Sequence, residues 1–139
     1  EIYFAGQEID SVCFDSNIIV HCLGQLSWEE YTVFLRKVDL AVSLMYTPHP
    51  SYPPYDVACS GGVVVTNKCF NKVSMPECKN IIVTDLEEDA FMDSLTKGIH
   101  LAENMSLRKE NFVNSSINRV WDEALQGVLD FMGEKVKHV

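Results

Sequence analysis

The chain has 139 residues, enough for one domain around one core, and 47% of them are hydrophobic, so folding needs no disulfide or metal staple. Net charge is −9, with 20 acidic residues against 11 lysines and arginines and no basic cluster, which argues against a track for nucleic-acid phosphates. No run approaches the roughly 20 apolar residues of a membrane span, and five cysteines without a CxxC pair or zinc spacing read as reduced core residues of a cytoplasmic protein.

Short apolar runs alternate with helical segments, the pattern of a mostly parallel sheet covered on both faces. Ile2 to Ala5 reads as a first strand, and so abrupt a start suggests a domain cut from a longer protein. Ile18 to Leu23 is a second strand. Ser27 then caps a helix, with Glu30 completing a capping box, and that helix runs through Tyr31 and Phe34 to about Lys37. Val38 to Met45 is the third strand.

Four of the five prolines fall in the loop Thr47 to Pro54 that follows, at Pro48, Pro50, Pro53 and Pro54. A helix is expected from Tyr55 to Ser60, with Pro54 at its start and Gly61-Gly62 at its stop. Val63 to Thr66 is a β-branched strand, and Asn80 to Thr84 the last one. The acidic run Asp85 to Asp89 opens a helix reaching about Glu103, where carboxylates suit the helix dipole. A short helix is expected over Leu107 to Asn111. Ser115 or Ser116 then caps a final helix, 115–133, carrying Ile117, Val120, Trp121, Leu125, Val128 and Phe131 on one face. The fold class is α/β, a Rossmann-like three-layer sandwich in a single domain.

Ligands in such sheets bind beyond the carboxyl ends of the strands, where the proline loop lies. A helix start there offers backbone N–H groups to phosphate. Prolines stiffen the loop and hold His49, Ser51 and Tyr52 in place. The Asp56 carboxylate either favours the helix dipole or accepts from two vicinal hydroxyls of a ribose or sugar. His49 either tucks against backbone or touches ligand.

From Gly24 to Thr66 the chain resembles the donor-binding C-terminal half of GT-B glycosyltransferases. Asp56-Val57-Ala58-Cys59-Ser60-Gly61-Gly62-Val63-Val64-Val65 is similar to the Glu-Ala-x-Ala-x-Gly pattern of their retaining families, with the acidic residue five positions before the glycine. The stretch Ser43 to Pro54, with Thr66-Asn67 and then Asn71-Lys72, looks closest to bacterial rhamnosyltransferase-like proteins of polysaccharide synthesis.

The resemblance implies a domain, 1–139, that binds a nucleoside diphosphate sugar and faces a missing N-terminal acceptor domain of the same protein. The last helix would pack toward that domain. Asp56 would hold the ribose hydroxyls, and His49, Ser51 and Tyr52 the diphosphate and sugar. Gly24 would let backbone approach the nucleotide beside Gln25, and Lys72 or Lys68 would supply positive charge. No metal or other cofactor is expected.

Two features depart from the family's pattern. Pro48 stands eight positions before Asp56, where many members carry a second glutamate, and no Lys or Arg lies between Gln7 and Tyr31. The expected activity is hexosyl or rhamnosyl transfer to an acceptor hydroxyl, with the fragment alone inactive. Any attachment to the inner face of the membrane would come from outside this chain. A sugar-nucleotide epimerase half and a non-catalytic flavodoxin-like binding module remain the alternatives.

Overall fold

The computed structural model describes residues 1–7, 9–10, 13–15, 18–46 and 52–136. Among the described residues six strands and five helices form, and three of the four strand pairings are parallel, so the fold is Rossmann-like α/β. Two compact units divide it, Glu1–Lys37 and Val38–Val139.

The first unit holds β1 (Ile2–Phe4), β2 (Cys13–Asp15), β3 (Ile18–Cys22) and α1 (Trp28–Leu35). Its sheet runs β1-β3-β2, with β1 parallel to β3 and Tyr3 opposite His21. The antiparallel β2 was not expected, because three residues are too few to show an alternating pattern. Val20 is buried, and Tyr3 stacks on His21 and meets the edge of Phe34. The capping box of α1 forms as the sequence requires. Ser27 N–H donates to Glu30 Oε2 at 2.8 Å, and Glu30 N–H donates to Ser27 Oγ at 3.3 Å.

The second unit contains β4 (Leu40–Ser43), α2 (Tyr52–Cys59), β5 (Val63–Asn67), β6 (Ile81–Thr84), α3 (Glu88–Glu103), α4 (Met105–Val113) and α5 (Trp121–Val136). Its sheet is wholly parallel in the order β4-β5-β6. Every residue of the central β5 is buried, which demands cover on both faces, and α2 and α3 both pack on it. Val63, Val64 and Val65 are the heart of this core, each contributing about 1.5–3 kcal/mol through burial. Gly98 lets α3 approach closely. A Cβ there would come within 3.0 Å of Val65 and 3.1 Å of Leu40.

Gly61 and Gly62 end α2 for different reasons. Gly61 N–H reaches Ala58 O at 3.1 Å and Gly62 N–H reaches Val57 O at 3.0 Å, the two bonds of a Schellman stop, with Gly61 at φ 86°. At Gly62 the need is space: a Cβ would meet the Val57 side chain at 2.8 Å and the Val38 carbonyl at 2.9 Å.

Several boundaries differ from the expected ones. β4 is shorter than Val38–Met45, leaving Asp39 outside to pair with Arg108 at 2.8 Å. α2 begins at Tyr52 rather than Tyr55. Prolines at its second and third positions give up N–H groups that a first turn leaves unbonded anyway. α4 starts at Met105, where the Asn104 side chain accepts from Leu107 N–H at 3.1 Å.

Neither Ser115 nor Ser116 caps the last helix. Ser116 N–H instead bonds Glu77 O at 2.8 Å, Ser115 Oγ accepts from Ile117 N–H at 3.2 Å, and α5 begins at Trp121. Leu125, Val128, Leu129, Phe131 and Met132 of α5 are all exposed. Among the described residues no helix is long and apolar enough to cross a membrane.

Gly62→Ala should destabilise the chain by about 1–3 kcal/mol, because the Val38 backbone cannot rotate out of the way. Gly127→Ala in α5, which meets nothing within 4 Å, should cause no loss. Urea unfolding of the two variants checks the contrast.

Candidate functional site

β4 and β5 end side by side at Ser43 and Asn67, and two buried polar side chains shape that carboxyl edge. Asn67, 1% exposed, acts as a surrogate peptide group. Its Oδ1 accepts from Met45 N–H at 2.8 Å, while its Nδ2 donates to the carbonyls of Met45 at 2.8 Å and Lys68 at 3.0 Å. Only one orientation of the amide satisfies both Met45 groups. The ladder is thereby carried past the end of β4 as far as Met45.

Thr66 works beside it. Its hydroxyl donates to the Ser43 carbonyl at 2.7 Å and accepts from Lys72 Nζ at 3.1 Å. Lys72 is half-buried, and this desolvation lowers its pKa below the usual lysine value, with Cys69 pulling less strongly the other way. Lys72 returns to the edge through a two-residue turn, Phe70-Asn71, closed by Cys69 N–H to Lys72 O at 3.0 Å and Lys72 N–H to Cys69 O at 2.9 Å. Phe70 sits there at φ 49°, in the left-handed region, with its ring 6.2 Å from that of Tyr46.

Of the residues expected at the site, Tyr52, Asp56 and Lys72 belong to this unit. Tyr52 is the exposed first residue of α2, not part of a loop. Asp56 is half-buried and stands one turn into α2, so the first turn holds no acidic residue and the dipole reading of Asp56 fails. His49 and Ser51 lie outside the described residues.

The helix start also changes meaning. With Pro53 and Pro54 in the first turn of α2, only Tyr52 and Tyr55 of its first four residues carry an N–H. That terminus is a poorer anion site than the sequence suggested, and a cationic side chain gains importance. Lys68 is already engaged, bonded to Asp85 at 2.7 Å. Lys72 is not an ordinary solvated lysine.

Gly24 and Gln25 belong to the Glu1–Lys37 unit. Gly24, at φ 63°, turns the chain after β3, and its carbonyl accepts from Gly6 N–H at 2.9 Å. It lines a shallow depression with Ile9, Asp10, Cys22 and Leu23, and Gln25 is exposed. Among the described residues no group of three or more His, Cys, Asp or Glu side chains is arranged to hold a metal ion.

The family described as "WsaF, C-terminal domain" matches residues 1–96 of this chain. The chain belongs to that family. It is thus a GT-B glycosyltransferase C-terminal domain, as the resemblance around Asp56 to Val65 implied. It is also 36% identical over 67 residues to the O-antigen biosynthesis protein RfbC of Myxococcus xanthus. That alignment covers 48% of this chain and 5% of the relative, so the chain spans only a small part of the relative's length.

Thr66-Asn67 stands in the sequence without a role that shows there, and neither Tyr46 nor Phe70 carries a local signal. An amide side chain at the end of a β-branched strand, Val63 to Thr66, is the available signal. Its partner Met45 lies 22 positions away, which no local pattern reveals.

Asn67→Leu fills the same space but leaves the Met45 N–H and C=O without this partner. It should cost about 1–3 kcal/mol, read by urea unfolding. Asn67→Gln should rescue little, since its longer stem moves the amide off the ladder.

Proposed function

We propose that this domain binds the nucleoside diphosphate sugar of a glycosyltransferase acting in polysaccharide synthesis, with hexosyl or rhamnosyl transfer to an acceptor hydroxyl as the reaction. The family and the O-antigen biosynthesis relative support that setting. The observation that carries the binding role is the tethered, half-buried ammonium of Lys72 at the carboxyl edge of β5, the region where parallel α/β sheets take their ligands.

In glycosyl transfer the bond from the anomeric carbon to the diphosphate breaks, and negative charge grows on the departing phosphate. A cation already held in place lowers that barrier without having to reorganise. Lys72 has this role in our reading, with its charge supplied by the side chain and no metal or other cofactor. Asp56, one turn into α2, accepts from the two ribose hydroxyls, as a carboxylate does well. Tyr52 stands exposed at the head of the same helix, ready for a phosphate or sugar oxygen.

The acceptor and any catalytic base belong to an N-terminal domain of the same protein, so this chain alone binds but does not turn over. The exposed apolar residues of α5 suit a surface that such a domain covers. The working compartment is the cytoplasm of a bacterium, where sugar nucleotides are made.

Isothermal titration with UDP and dTDP is the direct test, and absence of heat at millimolar ligand would sink the proposal. Asp56→Ala should weaken binding roughly 10-fold or more without loss of fold, the scale of one charge-assisted pair. A bound diphosphate favours the charged form of Lys72 and so raises its pKa above the lowered free value. Affinity should therefore be highest below that lowered free value and fall as pH rises through it. Lys72→Gln should bind more weakly and show a flat profile over the same range.

A further inference from the structure

Beside the Lys72 tether lies a feature that the diphosphate-binding role leaves unused. Tyr46 is 83% exposed and Phe70 69% exposed, yet their rings lie 6.2 Å apart at an interplanar angle of 58°. Both backbones are held. Tyr46 follows Met45, which Asn67 pins by two hydrogen bonds, and Phe70 is locked in a turn closed at both ends.

Phe70 is also the only non-glycine residue at positive φ among the described residues. The first position of such a two-residue turn ordinarily takes glycine, since a Cβ there is strained. A large apolar ring kept at a strained, exposed turn tip has no folding rationale, because it leaves the core unfilled. Strain of this kind points to a ligand.

We propose that Tyr46 and Phe70 form a platform for the sugar ring of the donor. This inference rests on the donor-binding reading above. Position supports the sugar over the base. Phe70 is two residues from Lys72 across the turn, so a diphosphate held by Lys72 places its directly attached rings nearest. Those are the transferred sugar on one side and the ribose on the other; the base lies a ring further away.

Shape points the same way. Two aromatic faces inclined at 58° cannot both lie flat on a planar base. A pyranose chair offers C–H groups at several inclinations, and each carries the slight positive charge that an aromatic face attracts. The platform thus grips the sugar's apolar side and leaves its hydroxyl rim to polar groups.

The test compares UDP with UDP-glucose, and dTDP with dTDP-glucose, by isothermal titration of the 139-residue chain and two variants. Phe70→Gly suits the φ of 49° and should melt no lower than the parent, which separates fold from function. Tyr46→Leu keeps the apolar bulk and removes the ring. Each variant should lose about tenfold in affinity for the sugar nucleotide, the scale of one stacking contact, while its affinity for the bare diphosphate stays unchanged. Equal loss for both ligands would put the rings on the nucleotide and overturn the sugar assignment. No loss for either ligand would remove the platform altogether. If the parent chain binds neither ligand, the donor-binding reading fails first and the platform with it.

Discussion

The carboxyl edge of the Val38–Val139 unit depends on one buried carboxamide. Strand β4 stops at Ser43, and a chain leaving a parallel sheet would ordinarily hand its next peptide groups to water. Asn67 intercepts them. By offering an acceptor and a donor at peptide spacing, it gives Met45 the two bonds that another strand residue would have given. The placement of Tyr46 follows from that pairing. The neighbouring Thr66 hydroxyl ties Ser43 and Lys72 to the same edge, so polar groups buried for structural reasons also hold the groups proposed to meet ligand.

The proposed diphosphate needs a positive partner, and the chain is acidic. A helix N-terminus is the inexpensive source, but α2 has prolines in its first turn and so lacks half of the N–H groups that make such an end attractive to phosphate. The two features are linked. Pro53 and Pro54, which suit the first turn of α2, also remove its donors, so in the proposed role a side chain has to supply the cation. Lys72, brought back by the Phe70-Asn71 turn, is the lysine proposed for that role, since Lys68 is drawn aside by Asp85.

Much of this was readable from residue order. The valine run announced the central strand, Ser27 and Glu30 announced the start of α1, and the Gly61-Gly62 pair announced the end of α2, because each signal is local and has a single physical cause. Signals that depend on distant partners were silent. Asn67 looks like any strand-end amide until Met45 is beside it, and Ser115 and Ser116 look like caps until Glu77 claims one of their N–H groups. Pro53 and Pro54 misled for another reason: a proline is allowed at several positions of a first turn, so it marks the neighbourhood of a helix start and not the residue. The left-handed backbone of Phe70 had no signature at all, since sequence would have put glycine there.

The tether on Lys72 has a consequence for the thermodynamics of the proposed anion recognition. A lysine stem in solvent samples many rotamers, and a ligand that immobilises it loses part of its affinity, up to about 2 kcal/mol, to that ordering. Here one ammonium proton is already fixed on the Thr66 oxygen, so the stem is arranged before any anion arrives. The tetrahedral head keeps two protons pointing elsewhere, enough to bridge two phosphate oxygens at once. The entropic toll on a visiting anion is thereby reduced, because most of it was met when the chain folded.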